Sequence, residues 1–304
     1  MNKFLERLQS GEILVADGST GASLQKMGLK PGIPPEDLVI EAPEMVLQLE
    51  GAFVEAGSDI ILTDTFGGTR LRMRESKYVE RTPEVNRRAA ELARQAASGR
   101  AGVLVAGSIG PTGLLMKPYG PLGVEEATAS FAEQAKALAE GGVDLLVIET
   151  MFAFEEADAA FNGARSVSDL PVVVSFSYDR GVRTMMGVKP ADMFKHYQEM
   201  GAAMIGANCG TTLENMEKIQ QEYAATEPGF PLWAKPNAGQ PHLVDGVTTF
   251  DVTPGQMAEY ALKYVGLGAR VVGGCCGNMP EHIAAIAKAL DVSLSELFSF
   301  DSKK

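Results

Sequence analysis

The 304-residue chain is 45% hydrophobic and sets 27 Lys and Arg against 39 Asp and Glu, a formal net charge of −12 at pH 7. That balance excludes the clustered cations needed by a partner such as nucleic acid, heparin or an anionic membrane surface. No stretch approaches the ~20 consecutive apolar residues of a bilayer span, the first twelve residues lack the apolar core of a signal peptide, and the 3 cysteines are an odd set for a disulfide framework, so the expectation is a cytoplasmic protein.

In chain order, short apolar runs rich in β-branched residues alternate with longer segments of helical period. The runs cover 12–17, 58–65, 103–108, 144–150, 171–177, 204–209, 232–235 and 270–275. Between them, 43–56 places Met45, Leu49, Phe53 and Val54 on one helical face, and 124–140 opens acidic and continues with Phe131, Ala135 and Leu138. Several helical segments stop at glycine, as at Gly57, Gly141-Gly142, Gly201 and Gly266-Leu267-Gly268, where a left-handed residue ends a helix. Near-continuous apolar strands are what a parallel sheet buried on both faces requires. The pattern therefore predicts one α/β domain over 1–304, a (β/α)8 TIM barrel with its core at about 11–290 and a C-terminal tail over 291–304 that reads as a last short helix and a frayed end. An open doubly wound sheet is the alternative; Asp17-Gly18-Ser19-Thr20-Gly21 after the first run is not its G-x-G-x-x-G turn.

A barrel of this kind carries its active site where the strands end. The first run ends on Asp17, the second on Asp64 and Thr65, the third on Ser108 and the fourth on Glu149. The sixth ends on Asn208-Cys209, the seventh runs into Pro236-Asn237-Ala238-Gly239, and the eighth ends on Cys275-Cys276 inside Gly273-Gly274-Cys275-Cys276-Gly277. Cys209 and Cys275 are too far apart in sequence for a C-x-x-C knuckle, yet strands six and eight bring their ends within reach of one ion. Three thiolates at one point repel unless a cation satisfies them, and a tetrahedral Zn2+ with three sulfurs keeps one open position. Adjacent strand residues face opposite ways, so both Cys275 and Cys276 can serve only if the backbone leaves regular β geometry there. Taken singly, each cysteine could instead be a small buried hydrophobe.

The segments Leu14 to Gly21, Gly57 to Phe66, Gly107 to Gly113, Glu149-Thr150, Asn208-Cys209, Pro236 to Gly239 and Gly273 to Gly277 resemble the zinc-dependent homocysteine S-methyltransferase family. The likeness is closest to the N-terminal homocysteine-binding module of cobalamin-dependent methionine synthase and covers nearly the whole chain. It implies that Cys209, Cys275 and Cys276 hold zinc and that the sulfur of homocysteine enters as the fourth ligand, to be methylated to methionine. Asp17, Gly18 and Glu149 look like the amino-acid clamp, with Ser19, Thr65 and Asn208 as further substrate contacts. The same likeness suggests Asn237 as the fourth zinc ligand without substrate. One departure is Asp64, where methionine synthase modules commonly show Asn.

Each role has a plain structural alternative: a helix N-cap for Asp17, an Arg partner for Glu149, and a turn for Asn237. His196 and His282 read as ordinary residues, His242 lies near enough to reach the mouth, and Trp233 reads as core. The methyl donor is open. A methylcorrinoid on a separate protein is expected from the methionine synthase likeness, and S-methylmethionine or a betaine would serve instead. Transfer to another thiol, and a non-catalytic zinc-holding or corrinoid-docking subunit, are the remaining expectations.

Overall fold

A computed structural model describes residues 2–210, 212–244 and 247–301, and the side chains of all these except 244, 247, 248 and 293–301. The strands are β1 (Leu14–Val15), β2 (Ile60–Leu62), β3 (Leu104–Ile109), β4 (Leu145–Met151), β5 (Val172–Phe176), β6 (Met204–Cys209), β7 (Leu232–Pro236), β8 (His242–Val244), β9 (Val247–Thr249) and β10 (Ala269–Val272). Eight form one parallel sheet in the order β1-β10-β7-β6-β5-β4-β3-β2. A parallel bridge from Ala16 to Ile60 joins its two edges and closes the barrel. All eight apolar runs are barrel strands, and the (β/α)8 expectation holds.

Side-chain alternation divides the barrel into two cores. Leu14, Ile60, Leu104, Ala106, Leu145, Val147, Val173, Met204, Trp233 and Val271 fill the interior. Their strand neighbours Val15, Ile61, Val105, Leu146, Val174, Ile205, Ala234 and Val272 pack outward against the helices. Gly206 takes an inward position without a side chain: a Cβ there would stand 2.4 Å from that of Trp233 and closer still to its carbonyl oxygen. Gly57, Gly142, Gly201 and Gly268 all have positive φ, as expected of helix stops.

Three features depart from the sequence expectation. The helix Lys3–Gln9, capped by Asn2 Oδ1 accepting from the Phe4 and Leu5 amides, inserts Phe4 into the interior core and plugs the end of the barrel opposite the site. The antiparallel pair β8–β9 interrupts the alternation between β7 and the helix Pro254–Gly266. The C-terminal segment, expected as a last short helix and a tail over 291–304, is helical as far as Asp301 but as the continuation of one helix, Pro280–Asp301, which no Pro or Gly breaks after Pro280; 302–304 lie outside the described residues. No helix among the described residues is long and apolar enough to cross a membrane.

Candidate active site and metal centre

One step above Ala106, Val147, Val173, Gly206 and Trp233, the inward alternation turns polar. Ser108, Glu149, Ser175, Asn208 and Lys235 follow on the same face of β3 to β7, all at most 6% exposed. A cavity of about 900 Å3 opens above this layer, lined among others by Gly18, Ser19, Asp64, Glu149, Lys235 and the three cysteines. That volume is at the upper end of the roughly 300–1,000 Å3 of small-molecule sites.

The three Sγ atoms lie within 4.8 Å of one another, the one group of at least three His, Cys, Asp or Glu among the described residues able to hold a metal ion. Cys209 stands at φ 54°, a strained left-handed conformation, so the chain turns out of β6 and aims the sulfur across the mouth. Thr150, at the end of β4, is equally unusual for a β-branched residue at φ 61°. Asn208 braces both: its Oδ1 accepts from the Thr150 amide at 2.9 Å and Ser175 Oγ at 2.6 Å, and its Nδ2 donates to Thr150 Oγ1 at 2.7 Å. The same amide lies 3.6 Å from Cys209 Sγ and 3.8 Å from Cys275 Sγ. Asn208 is fully buried beneath the sulfurs and outside the cavity wall.

β10 ends at Val272, and the chain turns through Cys275–Asn278, so the two adjacent cysteines can face the same point. The glycine frame makes that turn possible mostly by close approach. A Cβ at Gly273 would meet Ala16 O at 2.6 Å and one at Gly277, where φ is +79°, the Phe250 ring at 2.3 Å. Asn237 ties the cysteine turns together: its Nδ2 donates to Gly210 O at 3.1 Å and its Oδ1 accepts from the Cys276 amide at 3.0 Å.

The sulfurs show the electrostatics of a crowded anion site. Hydrogen bonds from Cys209 and Cys275 hold Cys276 down at about 3. Bonds to the other two thiols, with burial, push Cys209 well above its ordinary value. For Cys275 the Cys209 bond lowers the thiol, but Cys276 and burial carry it up to about 12. Each thiol is hindered from ionising beside the others, so three thiolates at this point need a cation. Cys209 Sγ and Cys275 Sγ stand 2.7 Å apart, closer than the roughly 3.8 Å that Zn–S bonds of about 2.3 Å set between two tetrahedral sulfurs, so holding a metal would require these two sulfurs to separate.

Asp17 is not a helix cap. Its Oδ2 accepts from the Leu62 amide at 2.7 Å and its Oδ1 from Lys235 Nζ at 2.6 Å, with both side chains 3% exposed. Burial drives the carboxyl up, opposed chiefly by Lys235. Burial also opposes the Lys235 charge, but Asp17 and Glu149 outweigh it and hold the ammonium above its ordinary value. Asp17 thus stands behind the cavity, while Lys235 lines it. Lys235 is the site residue that sequence reasoning missed; a lysine ending an apolar strand was the signal.

Glu149 accepts from Ser108 Oγ at 2.6 Å, and among the described residues no Arg pairs with it. Burial raises it to about 7, against the pull of Lys235. Thr65 is fully buried, bonded to Thr63 Oγ1 and Ser108 O, and outside the cavity wall. Ser19 lines the cavity and donates its amide to Asn278 O. His282 also lines it, but both ring nitrogens are engaged, Nδ1 by the Met279 amide and Nε2 by Val252 O. His242 pairs with Asp251 and His196 with Asp158, both away from the cavity.

Gly18 admits no side chain, since a Cβ would stand 2.3 Å from Asn278 O and 2.8 Å from Phe53 Cε1. Gly18→Ala is expected to cost about 1–3 kcal/mol by overpacking, read as a lower urea midpoint at unchanged m. An unchanged midpoint would show that the turn relaxes freely.

Residues 14–290 match the family model of homocysteine S-methyltransferase. Relatives named S-methylmethionine–homocysteine S-methyltransferase BHMT2 are 32% identical in Pongo abelii and 33% in Rattus norvegicus, each over 94% of this chain and 80% of the relative. The homocysteine methyltransferase MmuM of Escherichia coli in its metallated form superimposes with a TM-score of 0.79 at 24% identity, over 94% of this chain and 99% of that one. This barrel, with its strand-end cysteines, thus belongs to the homocysteine S-methyltransferase family and is a methyltransferase enzyme.

Proposed function

We propose that this enzyme transfers a methyl group to the thiolate of homocysteine, giving methionine, with Cys209, Cys275 and Cys276 holding Zn2+ and S-methylmethionine as the donor. The observation that carries this reading is three sulfurs within 4.8 Å of one another on the wall of a cavity that also presents Glu149 and Lys235. Sulfur ligands suit Zn2+, and a fourth position is left for the substrate. The bound ion supplies a low thiol pKa, so that the substrate sulfur is a nucleophile at neutral pH.

The protein's own groups then orient an α-amino acid. Glu149, near 7 by itself, ionises fully against the substrate ammonium. Lys235, kept charged by Asp17, faces the carboxylate together with the turn Gly18 to Gly21. Asn208 keeps the Cys209 and Thr150 turns in their strained forms and directs its amide at the sulfurs. Asn237 joins the Gly210 and Cys276 turns, and moving onto the metal would require it to release the Cys276 amide. In the transfer, the homocysteine sulfur bonds to the methyl carbon as the donor's sulfur–methyl bond breaks, and the electron pair stays on the donor, which leaves as a neutral thioether.

The donor choice follows the BHMT2 relatives, whose name specifies S-methylmethionine. The test offers homocysteine with S-methylmethionine, betaine or methylcobalamin to the zinc-loaded enzyme. Methionine formed with S-methylmethionine, and lost in Cys209→Ala, is the expected result. Turnover with methylcobalamin alone would assign the donor to a corrinoid carried by another protein. Silence with every donor at stoichiometric zinc would overturn the reading.

A further inference from the structure

One group of acids has no part in the roles above. Asp64, directly after the Thr63 that follows β2, lies in the cavity wall at 3% exposure, and its Oδ2 has no hydrogen-bond partner. Glu36, from the single turn Pro35–Asp37, shares that wall at 4% exposure and accepts from the Gly67 amide. Behind them, Glu50 of the helix Pro43–Glu55 is also 4% exposed, with both carboxylate oxygens unpartnered. Among the described residues, no Lys, Arg or His stands within ion-pair distance of any of the three, although the charge of Arg72 pulls on Glu36.

A buried carboxyl without a partner forfeits its hydration and gains nothing in return. Burial and the neighbouring Glu36 push Asp64 well above the ordinary carboxylate range, an effect that a cation placed against it reverses. The wall beside it is suited to such a cation. Phe66, 42% exposed, offers a ring face and Met73 a polarisable thioether, and both line the same cavity. Arg72, in that wall too, supplies a cationic group for a carboxylate on the same molecule.

We propose that Asp64, backed by Glu36, selects a methyl donor that carries a positive charge, a sulfonium or quaternary ammonium, over an uncharged one. The inference rests on the methyl transfer proposed above and deepens it by assigning donor recognition to a residue. A charged donor would place its cation against Asp64 while homocysteine occupies the Glu149 and Lys235 side of the cavity. On transfer the donor becomes a neutral thioether or tertiary amine and loses that attraction, so the same carboxylate favours product departure.

The test compares wild type, Asp64→Asn and Asp64→Glu as zinc-loaded full chains with S-methylmethionine and homocysteine varied separately. Asp64→Asn keeps the shape and removes the charge. Its KM for S-methylmethionine is expected to rise roughly 10- to 100-fold, the range for losing a charge-assisted contact, while the KM for homocysteine stays within about twofold. Asp64→Glu is expected to recover most of the donor affinity. In the wild type, where folding of the variants is no concern, tetramethylammonium should inhibit competitively against S-methylmethionine. Unchanged donor KM in Asp64→Asn, equal rises in both KM values, or no competition by tetramethylammonium would each overturn the role of Asp64 while leaving sulfonium-dependent transfer intact. A wild type that accepts methyl groups from methylcobalamin alone would overturn the donor reading, and Asp64 selection with it.

Discussion

Cys276→Ala is expected to abolish both zinc retention and methyl transfer without unfolding the barrel. Cys276 is the most exposed of the three sulfurs and sits on a turn after the last strand, so truncating it removes little packing. The loss is chemical: a three-sulfur site becomes a two-sulfur site. Removing even an outer partner of a metal ligand commonly costs roughly 10–100-fold in affinity or activity, and a direct ligand is expected to cost at least about 100-fold. Metal analysis after dialysis, circular dichroism and a methionine-forming assay check the three parts. Stoichiometric zinc and wild-type turnover in the variant would remove Cys276 from the site. Cys209→Ala tests the opposite side of the cluster and should lose both properties as well, since Cys209 alone supplies a sulfur from β6.

Lys235→Met is expected to destabilise the barrel more than Gly18→Ala does. The substitution fills similar space but leaves Asp17, 3% exposed, with only the Leu62 amide as partner. Breaking a buried pair from one side costs about 3–5 kcal/mol because the remaining charge is uncompensated. Urea denaturation should show that loss, and Asp17→Asn combined with Lys235→Met should recover a substantial part of it, the coupling expected of groups in direct contact. Asp17→Asn alone should cost less, since Lys235 retains the attraction of Glu149. If the double variant were no more stable than Lys235→Met, the lysine would act through packing against Trp233, where its Nζ lies 5.9 Å from the ring centroid, more than through charge.

The sequence was informative at the level of the barrel because parallel strands buried on both faces must be apolar along their length, and helices between them must stop. All eight strand positions follow from those two constraints. The strand-end rule also placed Glu149, Ser108 and the cysteines near one mouth. It was less able to separate residues in the cavity wall from residues behind it. Asp17, Asn208 and Thr65 all end strands, yet Asp17 and Thr65 point into hydrogen bonds behind the wall, and Asn208 supports the sulfurs from below. Lys235 went unrecognised because its partner, Asp17, is remote in sequence and becomes its neighbour only when the first and seventh strands share a barrel interior.

By itself the sequence determined what depends on local order: the alternation of strands and helices, the glycines that end helices, and the residue types available where each strand stops. Tertiary structure alone decided which of those groups share a space. Closure through the Ala16–Ile60 bridge, the left-handed turn at Cys209 and the turn at Cys275–Asn278 bring three distant sulfurs within 4.8 Å. The same closure pairs Asp17 with Lys235 and leaves Asp64 Oδ2 and both Glu50 carboxylate oxygens buried without hydrogen-bond partners among the described residues. Such pairings are set by Coulomb interaction and desolvation, which depend on distance and burial in three dimensions and have no counterpart in sequence spacing.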